Sequence, residues 1–206
     1  TDAAFADVVK TEPEYVSKDP LRGVANLGDD RYGFAMDSSS EDTEQGSGLA
    51  PQSAMRRLKY DRLYFDLNRN GDLTDDQVIR ADESPKNSAY SYFPRVDLTI
   101  DVAGQETEYA FHMRAYGYSA SSYRYAYAYL YGAAFREGEI TLDGVKRRVV
   151  LVDNNSNGRF DDTMTIATVS GTFYPRPGDT IFVDPDAADF TYGYDPTTSE
   201  TQHYLG

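Results

Sequence analysis

The stretch Glu139-Ile140-Thr141-Leu142-Asp143-Gly144-Val145-Lys146-Arg147-Arg148-Val149-Val150-Leu151-Val152-Asp153 decides the fold class. Asp143-Gly144 is a strong type I′ turn signal, because both residues accept a left-handed backbone. It separates two strand-like runs, and Tyr123 to Phe135 leads into the first of them. Upstream, Val96, Leu98, Ile100 and Val102 alternate with Asp97, Thr99 and Asp101, the period of a half-buried strand. Ala103-Gly104-Gln105 gives a turn, and Glu106 to Tyr116 runs back with Thr107, Tyr109, Phe111 and Met113 in alternation, completing a hairpin. Three further strands, Arg31–Met36, Arg62–Phe65 and Thr180–Val183, each run into an aspartate. Thr1–Lys10 and Asp75–Arg80 read as short helices. The expected fold is therefore all-β with minor helix, an antiparallel meander forming a sandwich or barrel.

Composition narrows the function. The chain has 206 residues and carries 34 acidic against 20 basic side chains, a net charge of −14. That charge argues against nucleic acid and against anionic membranes, which it would repel. No apolar run reaches the ~18 residues of a membrane span. With no cysteine there are no disulfides, zinc thiolates or thiol nucleophiles. Eighteen tyrosines and ten phenylalanines are too many aromatics for a disordered acidic chain. The length suits a single β-rich domain over 1–206, with a flexible polar loop at 38–54 and an irregular tail at 187–206. Without an initiator Met or a signal-like start, it reads as a processed chain or a piece of a longer exported one.

Two segments repeat the same pattern. Leu63-Tyr-Phe-Asp66-Leu-Asn68-Arg-Asn70-Gly71-Asp72-Leu-Thr-Asp75-Asp76 and Val150-Leu-Val-Asp153-Asn-Asn155-Ser-Asn157-Gly158-Arg159-Phe-Asp161-Asp162 are each an apolar strand, then Asp-x-Asn-x-Asn-Gly, then paired aspartates. A hard cation such as Ca²⁺ takes ~6–8 oxygens. Positions one, three and five of a wrapping loop supply them from Asp66, Asn68 and Asn70, or from Asp153, Asn155 and Asn157. Glycine at six turns the chain so that the carbonyl at seven, on Asp72 or Arg159, also faces the ion. Asp75 or Asp76, and Asp161 or Asp162, would close each shell, while Leu73 and Phe160 anchor the loops inward.

These segments resemble the Asp-rich calcium loops of EF-hand, dockerin and thrombospondin type 3 repeats, over about a dozen residues each. They depart from the EF-hand at position twelve, where the bidentate Glu is replaced by Gln77 and Met164, and each loop follows a strand rather than a helix. The longer string through Asp143-Gly144 to Asp162 is also similar to uncharacterised exported bacterial proteins. The resemblance implies one or two structural calcium ions and a secreted, periplasmic or cell-surface location.

Other signals are weaker. Tyr123, Tyr125, Tyr127, Tyr129 and Tyr131 alternate with Arg124, Ala126, Ala128 and Leu130, which places five phenols on one strand face. That face reads either as a half-buried edge of the core or as a platform for a glycan or a peptide of another surface protein. His112 and His203 are the only histidines, and no nucleophile elbow or phosphate loop is present. The expected function is a calcium-stabilised exported structural or binding module without an evident catalytic site. The alternatives are a glycan- or peptide-binding module using the Tyr123–Tyr131 face and a hydrolase built on two carboxylates.

Overall fold

The computed structural model describes residues 2–38, 56–83, 88–119, 124–169, 172–176, 178–184, 192–194 and 201–203. One helix, α1 (Asp2–Val8), precedes β1 (Leu21–Leu27), β2 (Asp30–Asp37), β3 (Arg56–Leu58), β4 (Arg62–Phe65) and β5 (Ile79–Arg80). There follow β6 (Ser91–Val102), β7 (Gln105–Ser119), β8 (Arg124–Gly132), β9 (Phe135–Leu142) and β10 (Val145–Val152). The last are β11 (Thr165–Val169), β12 (Thr172–Arg176), β13 (Thr180–Val183), β14 (Tyr192–Tyr194) and β15 (Thr201–His203). The expected all-β, antiparallel architecture is what forms. Among the described residues the sheets are open: β1-β2-β4-β5, β3-β7-β6 with β8 also on β7, β13-β10-β9, and the pairs β11-β12 and β14-β15. No closed barrel is present among them.

The chain divides into two compact units. The first comprises Thr1–Asn26, Asp30–Arg95 and His112–Leu130, and the second Leu27–Asp29, Val96–Phe111 and Tyr131–Gly206. In the first unit, Phe5 of α1 and Val9 just after it stand four residues apart, and the Val9 amide donates to the Phe5 carbonyl at 2.8 Å, so the two share one face. They bury with Ala35, Tyr64 and Leu73 in one cluster. Phe65 stacks on Tyr32 and Phe34 at 5.7 and 6.3 Å. At the end of β2, the buried Asp37 carboxylate accepts the amides of Val16 and Ser17, both at 2.9 Å, which pins the segment before β1. Asp75–Arg80 is not the helix expected. It turns, and Ile79 and Arg80 pair with Leu63 and Arg62 of β4. Strand pairing satisfies those backbone groups and overrides local helix preference.

In the second unit, β9 and β10 pair from Val145↔Leu142 to Val152↔Phe135. Asp143 (φ 50°) and Gly144 (φ 78°) form the two-residue turn with both residues left-handed, as type I′ requires. Ala103 (φ 55°) and Gly104 (φ 80°) do the same between β6 and β7. On β6, Val96 and Ile100 are buried while Asp97 and Thr99 are exposed, the alternation the sequence shows. The run Arg124 to Leu142 is two strands. It breaks at Ala133-Ala134, so β8 pairs with β7 and β9 with β10. Lys146, Arg147 and Arg148 lie on a central strand and pair with Glu139, Asp184 and Glu137. Within the stretch expected to be an irregular tail, Tyr192–Tyr194 pairs with Thr201–His203. The rest of 187–206, and the loop expected at 38–54 beyond Ser38, lie outside the described residues.

Phe5 is the test of how much α1 contributes. Phe5→Ala should cost about 3–5 kcal/mol, through lost burial and the cavity left against Leu73 and Tyr64, measured as a shift of the urea unfolding midpoint.

Candidate metal centres

Each unit contains one of the two Asp-x-Asn-x-Asn-Gly loops. Both start from a buried aspartate at a strand end. Asp66 and Asp153 are 0 % and 1 % exposed. In the first loop, Asp66 Oδ1 accepts the Asn70 amide at 3.1 Å and Oδ2 accepts the Gly71 amide at 3.0 Å. In the second, Asp153 Oδ1 accepts the Ser156 amide at 2.6 Å and Oδ2 accepts the Gly158 amide at 2.7 Å. The Tyr109 hydroxyl also donates to Asp153 Oδ2 at 2.8 Å.

The asparagines repeat one geometry. Asn68 Oδ1 accepts the Asn70 amide (2.9 Å) and Asn70 Oδ1 accepts the Asp72 amide (2.8 Å). Asn155 Oδ1 and Asn157 Oδ1 do the same for Asn157 and Arg159, at 3.2 and 2.8 Å. Each amide oxygen has a second lone pair, so this bond leaves it able to bind a cation. The chain is left-handed at positions four and six of both loops: Arg69 at 60° and Gly71 at 79°, Ser156 at 59° and Gly158 at 80°. That double reversal curls positions one, three and five around one point.

The structure also separates the paired aspartates. Asn70 Nδ2 donates to Asp75 Oδ2 at 2.7 Å, and Asn68 Nδ2 lies 3.4 Å from the same oxygen. Asn157 Nδ2 and Asn155 Nδ2 meet Asp162 Oδ2 at 2.7 and 3.2 Å. Asp75 and Asp162 occupy the same place, the tenth of each loop. Asp76 instead accepts the Leu67 amide at 3.2 Å, and Asp161 is exposed. At position seven, the Asp72 side chain accepts the Thr74 amide and hydroxyl, and Arg159 pairs with Asp29. Among the described residues no three acidic or imidazole side chains gather on one point. Each loop carries two carboxylates and two amide side chains within ten residues, and the amide nitrogens are what face the position-ten carboxylate.

Electrostatics follow burial. Desolvation raises the Asp66 and Asp153 carboxyls above the usual carboxylate range, and their amide hydrogen bonds, with Tyr109 for Asp153, only partly offset it. Burial raises Asp76 too, while the Thr74 hydroxyl and amide lower Asp72. Ionising Asp66 or Asp153 thus costs the fold something that a cation would relieve.

The anchors behave as expected in the first loop, where Leu73 is 1 % exposed. Phe160 is half-buried, with its ring edge-on to Tyr109 at 6.5 Å. Sequence reasoning missed two supports. Tyr109 was readable as an inward strand residue whose hydroxyl needs a partner. Asp179 carried no signal, yet it accepts the amides of Asn154 (3.1 Å) and Asp162 (2.9 Å) and so holds both ends of the second loop. Asp184, the aspartate into which Thr180–Val183 runs, accepts the Arg148 amide and pairs with Arg147, and residues 185–191 lie outside the described residues. The tyrosines form a ladder on β8: Tyr125–Tyr127 at 5.7 Å and Tyr127–Tyr129 at 6.4 Å. Tyr131 belongs to the second unit, and Tyr123 lies outside the described residues.

No family model, curated protein or solved structure matches the chain.

Gly158 is the sharpest geometric test. An added Cβ would stand 2.5 Å from Ile100 Cδ1 and 2.9 Å from the Gly28 nitrogen, whereas at Gly144 it would meet nothing within 4 Å. Both glycines have φ near +80°. Gly144→Ala should then cost only the strain of the left-handed backbone, about 1–2 kcal/mol, and Gly158→Ala clearly more, by chemical denaturation.

Proposed function

We propose that the protein is a calcium-stabilised β module with a structural or binding role, each unit carrying one calcium loop. The observation that supports this is the recurrence, in two loops distant in sequence, of the same cluster of side chains at positions one, three, five and ten. Asp66, Asn68, Asn70 and Asp75 would hold one ion, and Asp153, Asn155, Asn157 and Asp162 the other. The carbonyls of Asp72 and Arg159 would complete the sets. A turn-forming role accounts for the asparagines and glycines, and the carboxylate at position ten, met by the asparagine nitrogens, adds an anionic ligand beside them. The bound ion would supply positive charge to carboxylates that the fold has desolvated, and would tie each strand end to the turn after it.

The donor set argues for modest affinity. Two carboxylates, and no bidentate Glu at position twelve, suit the range of extracellular modules, Kd ~10⁻⁴–10⁻³ M. Sites of that strength fill only where calcium is near millimolar, which favours a secreted, periplasmic or cell-surface protein. At millimolar calcium each site would add about 1–2 kcal/mol.

The melting temperature should rise by about 2–8 °C per site in millimolar calcium and fall with chelator, and calorimetric titration should give two sites. Unchanged melting in calcium and chelator, with no metal by elemental analysis, would reject the reading. The two loops are separable by variant. Asp75→Asn should weaken the first site about tenfold or more and leave the second intact, while Asp76→Asn should weaken the first site much less, both read by calorimetry.

A further inference from the structure

The tyrosine ladder of Tyr125, Tyr127 and Tyr129 lies within the first unit. On β7, His112, Arg114, Tyr116 and Tyr118 are half-buried, while the residues between them, Met113, Ala115 and Gly117, are buried. The outer face of β7 therefore carries Tyr116 and Tyr118 beside Tyr125 of β8, with ring centroids 5.9 and 5.7 Å away. Tyr90 extends the row, 5.2 Å from Tyr116. The Arg114 guanidinium lies over Tyr90 at 4.7 Å and Tyr129 at 5.0 Å, so a cation–π contact at each end holds the patch together. Tyr127 and Tyr129 remain 51 % and 39 % exposed.

Charge selects the occupant. The strands of this sheet, β3, residues 91–96 of β6, 112–119 of β7, and β8, contain no aspartate or glutamate, although the chain carries 34 acidic residues; of their arginines, Arg56, Arg57, Arg95, Arg114 and Arg124, Arg57 donates to the Ser88 carbonyl at 3.2 Å and Arg114 lies over two rings. A basic peptide finds no carboxylate here to pair with. A nucleic acid or other dense polyanion meets a molecule of net charge −14, with Arg114 already sandwiched between rings. An extended peptide would add through backbone hydrogen bonds at a strand edge and would need side-chain pockets, not a row of rings. What remains is a neutral ligand with flat apolar faces and a hydroxyl rim. Phenols match both, through the ring face and the polar tip. The Tyr116 and Tyr125 hydroxyls lie 3.3 Å apart and share a hydrogen bond at this rim. The rings form a row rather than a pit, which suits a chain of sugars.

We infer that the face formed by Tyr116, Tyr118, Tyr125, Tyr127 and Tyr129 binds a neutral polysaccharide, with successive sugar rings lying on the tyrosines of β8. The test is native affinity electrophoresis of the full chain, in calcium, through gels containing hydroxyethyl cellulose, arabinoxylan, galactomannan or glycogen. Polygalacturonate gels, oligothymidylate and a casein peptide pool serve as comparators. Retardation is expected in at least one neutral gel, weakened about tenfold by Tyr127→Ala and again by Tyr129→Ala, and largely kept by Tyr127→Phe. A second measurement needs no variant: the retarding polysaccharide should slow nitration of Tyr127 and Tyr129 by tetranitromethane, read by mass spectrometry. The inference is overturned by no retardation in any neutral gel, by retardation that survives the double alanine variant, by unchanged nitration, or by binding confined to the polyanion, oligonucleotide or peptides.

Discussion

A buried carboxylate at the end of a strand is the constraint on which both loops depend. Asp66 and Asp153 leave the sheet already desolvated, and a bare carboxylate there would be costly. Each meets that cost by collecting the backbone N–H groups of the turn that follows. Those N–H groups converge only if the chain reverses hand twice, at positions four and six. Asparagine at three and five then closes its own small rings onto the next amides. The loop shape is thus a consequence of solvating one aspartate. The oxygen cluster that could hold calcium is a by-product of the same geometry.

The same device appears with different outer support in the two units. In the first, the loop rests on the chain after α1: the Lys10 and Thr11 amides donate to the Gly71 carbonyl at 2.7 and 3.0 Å, and Leu73 sinks into the α1 cluster. Its position-two amide, on Leu67, is taken by Asp76 from within the loop. In the second, position eleven is Thr163, and the position-two amide of Asn154 goes instead to Asp179, just before β13. One need is met locally in one unit and by a distant strand in the other. The acidic excess accordingly has several uses: Asp66 and Asp153 organise turns, Asp37 and Asp179 clamp distant backbone, and Asp184 and Glu137 pair with arginines.

Much of this was legible in the chain before any coordinates. Period-two alternation over 96–102 and 106–116 placed the long hairpin, and Asp143-Gly144 placed the second, because those dipeptides and periods have few other solutions. The strand at Arg62–Phe65 and the one at Thr180–Val183 have the ends expected of them. Reading failed where pairing, not local pattern, set the outcome. Ile79-Arg80 became a strand because β4 offered it partners, and the run before Leu142 broke because its halves joined different sheets.

By itself, then, the sequence determined the β architecture, its type I′ turns, and the positions in each loop that carry oxygen, since alternation and Asp-x-Asn-x-Asn-Gly constrain the backbone locally. Only the tertiary structure decided which of two adjacent aspartates turns back toward the asparagines. Asp75 and Asp162 do so because a double reversal brings the tenth residue, not the ninth or eleventh, to face the turn. It alone also showed Asp179 as a clamp and gathered tyrosines from β7 and β8 into one row. Asp179 meets residues 25 and 17 positions away, and a local pattern carries no record of such a meeting.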